Sequence, residues 1–155
     1  MRHGKAEGYN AEGDHGRVLS DRGVRESGIA GKWLADQKLT PDYVLSSDAA
    51  RAQQTARIAS AASGYTGDVN LVSAIYEANV EGLMAIVNGL PVNATCVLIV
   101  GHNPGFEDLA HLLGGDLMKF GSLPTASVTA LGFEANAWSD VGRSPGSLLG
   151  FFTAR

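Results

Sequence analysis

The sequence predicts a three-layer α/β/α sandwich with a mostly parallel central sheet, on three observations. Apolar β-branched runs alternate with helical stretches along the chain. The strongest run, residues 95–101 (TCVLIVG), is apolar on both faces, as a strand covered by helices must be. Twenty glycines against only 7% aromatic residues suit helices packed closely on a sheet. With 155 residues, 45% of them hydrophobic, the chain is expected to form one domain over 1–155 with a substantial core.

Each element has its own signal. Ser20 caps a helix running to about residue 38, with Val24, Ile29, Ala30, Trp33 and Leu34 toward its buried side. Thr40-Pro41 breaks the chain, 43–46 reads as a short strand, and 49–63 as an alanine-rich helix ended by Gly64. Residues 69–72 make a minor strand. Asn79 caps a helix over 80–88 that Gly89 and Pro91 close, and strand 95–101 follows, with Asn93-Ala94-Thr95 read as the turn entering it. Residues 106–113 (FEDLAHLL) are helical until Gly114-Gly115. Strands over 127–133 and 148–152, linked by the Gly-, Ser- and Pro-bearing stretch 140–147, complete the pattern. Arg2-His3-Gly4 belongs at the end of a further strand, for which only Met1 remains. Either more residues precede Met1, or the sheet takes an unusually short strand there.

Twelve Lys and Arg against 16 Asp and Glu give a net charge of −4 with no polybasic run, which argues against nucleic acid and requires any anion site to be local. No apolar run approaches the roughly 20 residues of a membrane span, and nothing resembles a signal peptide. Cys96 is the only cysteine and cannot form an internal disulfide, so a reducing, cytoplasmic setting is expected.

In open α/β sheets ligands gather beyond the carboxyl ends of the strands. Three such places carry chemistry: Arg2-His3-Gly4, Ser46-Ser47-Asp48-Ala49-Ala50-Arg51 and Gly101-His102-Asn103-Pro104-Gly105. Two guanidiniums and two imidazoles around one point suit a tetrahedral dianion, since arginine offers forked, permanently charged donors. A histidine among them is either a donor or, with one nitrogen bare, a nucleophile toward phosphorus. A cation in the first turn of a helix opposes the helix dipole, which favours an anion-binding role for Arg51 over a solvated one. The four histidines lack the close ligand pairs of a zinc site, so neither metal nor cofactor is expected, and His15 and His111 read as structural or exposed. GIAGK at 28–32 lacks P-loop spacing and lies within a helix.

MRHG at the start, RVLSDRG at 17–23, SSDAARAQQT at 46–55 and VGHNPG at 100–105, with the closing LLGFFTAR, resemble the histidine phosphatase superfamily in its SixA-type phosphohistidine phosphatase branch. The resemblance implies a phosphoglycerate-mutase-like fold and a phosphatase acting on phosphohistidine of a protein, with a small phosphorylated molecule as the alternative substrate. It implies that His3 is the nucleophile, that Arg2, Arg17 and Arg51 hold the phosphoryl oxygens, and that His102 donates to them. Glu77 is the available general acid for a phosphomonoesterase, and a catalytically silent phosphate-binding module is the remaining reading. Val18 stands where related motifs usually read proline. Gly4 is expected to let the chain turn beside His3 and expose its N–H.

Overall fold

The structure, a computed structural model, describes residues 1–115, 119 and 121–154; of the closing LLGFFTAR, Arg155 lies outside them. Helix α1, Asp21–Asp36, starts where the sequence predicts, the Ser20 side chain accepting the Gly23 N–H. Its buried face differs from the expected one. Ala30 and Leu34 are buried, but Val24 and Ile29 are 45% and 43% exposed. The face that turns inward carries Gly23, Ser27 and Gly31 at helical spacing. At Gly31 a Cβ would stand 2.3 Å from the Ala59 carbonyl oxygen, so backbone approach to the next helix, rather than bulk hydrophobicity, chose the face.

Strand β1, Tyr43–Ser46, leads into α2, Ala50–Ala62; β2, Val69–Leu71, into α3, Val80–Asn88; β3, Val97–Val100, into α4, Gly105–Gly114. The Asn79 side chain caps α3 by accepting the Gly82 N–H. Strands β4, Val128–Gly132, and β5, Ser147–Phe152, form an antiparallel pair. The parallel sheet runs β2-β1-β3, with Ser46 opposite Val100. Alternate residues face opposite layers. Val44, Leu98 and Val100 pack with Ala30 and Leu34 of α1 and Ala52 and Ala56 of α2. On the other face Leu45 packs with Leu83 and Val87 of α3 and Phe106, Leu109 and Leu113 of α4. These are the three layers predicted.

Residues 1–3 form no strand but lie between the two sheets, with Arg2 in an isolated bridge. Arg2 pairs in parallel with Gly101, the Arg2 N–H donates to Ser127 O at 3.1 Å, and the His3 N–H to Gly101 O at 3.0 Å. Beneath this bridge, β3 and β4 flank a cavity of about 670 Å³ lined by Met1, Leu98, Ile99, Val128 and Leu131 among others. Of the expected site residues only Arg2 lines it. No helix among the described residues is long and apolar enough to cross a membrane.

Candidate active site

Three chain segments leave the sheet side by side at the carboxyl ends of their strands: β1 into Ser47, β3 into His102, and residues 1–2 into His3. Adjacency in a parallel sheet therefore brings residues remote in sequence together, and the His3 and His102 ring centroids are 5.1 Å apart.

His3 is held in one tautomer. Its Nδ1–H donates to the Gly4 carbonyl at 2.8 Å, which leaves Nε2 with a bare lone pair; that atom accepts from Arg51 Nε at 3.3 Å. Burial, then the charges of Arg51, Arg2 and Arg17, push its pKa from 6.5 down to about 4, against the opposing pull of the Gly4 carbonyl. The imidazole is neutral at ordinary pH. Gly4 corrects the sequence expectation: its N–H is not exposed but donates to the fully buried Thr55 hydroxyl at 2.9 Å. A Cβ there would lie 2.9 Å from the Gly23 carbonyl oxygen, so this glycine serves close approach to α1 instead of a turn.

His102 sits against Ser47, its Nε2 2.8 Å from the hydroxyl oxygen. That oxygen also accepts the Ala49 N–H, and with a second lone pair and its own proton it can pair with His102 Nε2 in either tautomer of the ring. Nδ1 is buried and has no partner among the described residues. A buried ring nitrogen without a partner is uncommon in folded proteins. Burial first, then His3 and Arg51, lower this pKa to about 3.

Arg51, 7% exposed, opens α2 and is a nearly buried cation. Its Nη1 donates to Asp14 O at 2.8 Å and its Nη2 to Asp14 Oδ2 at 3.1 Å. Arg2 donates from Nη1 to Leu123 O at 2.6 Å. Arg17 donates from Nε to Glu7 O and from Nη1 to Asp14 Oδ1, at 2.8 and 2.9 Å. So all three arginines, His3 and His102 form one cluster. Glu77 does not join its interior: it is exposed, beside Tyr76, in the left-handed backbone region at φ 56°. His111 is exposed and donates to Glu107 O, whereas His15 lies at the rim, donating from Nε2 to Asp48 at 2.9 Å and edge-on to Tyr76.

Sequence reasoning missed Asp14 and Tyr76, and gave no separate role to Ser47 and Thr55 within the stretch 46–55 that it singled out. Asp14 stands three residues before Arg17, a spacing that signals an ion pair, and Tyr76 precedes Glu77, but neither type announces an oxyanion site. The cluster combines three fixed cations with two neutral imidazoles, one with a bare nitrogen and one with a buried, unpartnered Nδ1. Such a set can bind a tetrahedral oxyanion and present a nucleophile to it. Among the described residues no three His, Cys, Asp or Glu side chains converge as metal ligands would.

Comparison with known proteins agrees with this chemistry. Residues 1–86 match the family model of the histidine phosphatase superfamily, branch 1. The uncharacterized protein Rv1276c of Mycobacterium tuberculosis is 34% identical over an alignment covering all of both chains. Among solved structures, SixA of Nakamurella multipartitia, to which phosphohistidine phosphatase activity is ascribed, superimposes with a TM-score of 0.82 at 28% identity, covering 99% of this chain and 92% of its own. SixA of Agrobacterium tumefaciens, with the same ascription, gives 0.80 at 28% identity over 99% and 94%.

Proposed function

The chain belongs to the histidine phosphatase superfamily, and from that premise we propose that it hydrolyses phosphohistidine on a protein through a covalent intermediate on His3. The observation that carries the reading is the His3 ring itself: neutral, fixed in the Nδ1–H tautomer, with Nε2 against the Arg51 guanidinium and 5.1 Å, ring to ring, from His102. The Nε2 lone pair forms a bond to phosphorus as the bond from phosphorus to the substrate imidazole breaks. The leaving ring, carrying a proton on its other nitrogen, departs neutral. Water then adds to phosphorus, the bond to His3 breaks, and inorganic phosphate is released. Arg2, Arg17 and Arg51 neutralise the phosphoryl oxygens and His102 donates a hydrogen bond to one of them, the contributions that phosphoryl transfer requires.

SixA supports the substrate class by likeness of sequence and fold. The reading is tested by incubating the chain with a phosphorylated histidine peptide and digesting it for mass analysis. The expected result is an acid-labile phosphoryl group on His3, lost in His3→Ala. A silent phosphate-binding module would give no adduct.

A second reading, a phosphomonoesterase for a small metabolite with Glu77 as general acid, draws on the backbone. A non-glycine residue in the left-handed region is held there at a cost, and such positions cluster at functional sites. Glu77→Gln losing activity on an alkyl phosphate while a phosphohistidine peptide is still cleaved would favour this second reading.

A further inference from the structure

Asp14 presents a contradiction of charge. Its carboxylate lies in the cluster of arginines built for an anion, where by Coulomb's law it should repel a phosphoryl group. Yet it is engaged on every side. Its side chain is half exposed and still accepts from Tyr76 Oη at 2.6 Å and Arg51 Nη2 at 3.1 Å on Oδ2, and from Arg17 Nη1 at 2.9 Å on Oδ1; its main-chain oxygen takes Arg51 Nη1 at 2.8 Å. The Tyr76 hydroxyl, then Arg17, hold its carboxyl well below the usual range, so it stays charged.

The pattern of bonds resolves the contradiction. A guanidinium has two usable edges. Asp14 takes the Nη1/Nη2 edge of Arg51, and this turns the Nε side toward His3 Nε2. On Arg17, Asp14 takes Nη1 and the Glu7 carbonyl takes Nε, which fixes that guanidinium too. One carboxylate between two cations also offsets their mutual repulsion. Tyr76 ties the assembly to the other imidazole, its ring edge-on to His102 with centroids 5.4 Å apart.

We propose that Asp14 is a positioning residue, whose carboxylate and main-chain oxygen hold Arg51 and Arg17 with their remaining N–H groups directed at the oxyanion site before substrate arrives. The proposal rests on the phosphoryl-transfer reading of this cluster. It makes a prediction opposite in sign to simple electrostatics. Removing a negative charge should strengthen anion binding, whereas releasing two oriented arginines should weaken it.

Orthophosphate is titrated calorimetrically into the full chain at constant ionic strength, with wild type, Asp14→Ala and Asp14→Asn compared, and thermal midpoints recorded. Positioning predicts affinity lower by about tenfold or more in both variants, at a nearly unchanged thermal midpoint, with Asp14→Glu recovering part of the loss. Affinity equal to or above that of wild type overturns it. Should Asp14→Ala lose its fold, the near-isosteric Asp14→Asn carries the same comparison. Wild type that binds orthophosphate yet forms no His3 adduct sinks the phosphatase reading alone, because the binding comparison needs no turnover.

Discussion

If His3 attacks phosphorus, its ring must be neutral before substrate binds, and the structure says how far that neutrality extends. Burial and three guanidinium charges bring its pKa from 6.5 to about 4, a penalty of about 3 kcal/mol against the imidazolium. The difference is largest near pH 5. There a solvated histidine is only about 3% neutral, whereas His3 is about 90% neutral. The perturbation is acidification of the free protein, and the assay is long-range proton–nitrogen NMR of ¹⁵N-labelled imidazoles, with His3 assigned by its loss in His3→Asn. Ring nitrogens report tautomer and charge together. The expected spectrum shows a protonated Nδ1 and a bare Nε2 down to pH 5, with a midpoint about 4. A midpoint near 6.5, or a proton on Nε2, would refute the account of how this nucleophile is prepared.

Three further outcomes follow from the same geometry. The folded state binds fewer protons at His3 than the unfolded chain between pH 6.5 and about 4, so stability is full above 6.5 and falls on acidification; His3 alone removes about 2 kcal/mol by pH 5, and an unchanged urea midpoint between pH 7 and 5 would contradict this. Arg51→Lys keeps the charge but loses the fork that spans His3 and Asp14, so His3 phosphorylation in rapid-quench single turnover is expected to slow by about 10²–10³-fold; a loss under tenfold would deny Arg51 its place. Gly31→Ala drives a Cβ onto the Ala59 carbonyl and is expected to cost about 1–3 kcal/mol, visible as a thermal midpoint several degrees lower, while an unchanged midpoint would mean that α1 and α2 part freely.

What could be read from the sequence followed the range of the interaction concerned. Ser20 and Asn79 cap their helices as expected because a cap needs only a side chain and an N–H three residues on. Strand β1 ran from Tyr43 to Ser46 as its local pattern indicated. Failures came where two segments meet. The inward face of α1 was set by close approach, of α2 at Gly31 and of residues 4–5 at Gly23 and Ser27, which left the more hydrophobic Val24 and Ile29 outside. Gly4 looked like a turn glycine because its own neighbourhood suggested one, but the atoms that exclude a Cβ there belong to Gly23 and Ser27. In the site, arginine and histidine stood out by type. Asp14 did not, because a carboxylate that orients cations looks like any other loop acid until both guanidiniums are seen against it.

The charges in the cluster also set an order of events. In the proposed reaction the guanidiniums that help hold His3 neutral are the groups that bind the phosphoryl oxygens, so an arriving dianion would cancel the electrostatic part of what lowers both histidine pKa values. The burial part, the largest single cause at each ring, remains. His102 therefore stays a neutral imidazole, able to offer a hydrogen bond but poorly suited to surrender a proton outright. A substrate whose leaving group already carries its proton needs no more than this, whereas an alkyl ester would need an acid from elsewhere, the part the second reading gives to Glu77. Under the proposed reaction, the same burial that readies His3 thus favours a phosphoramidate over an ester.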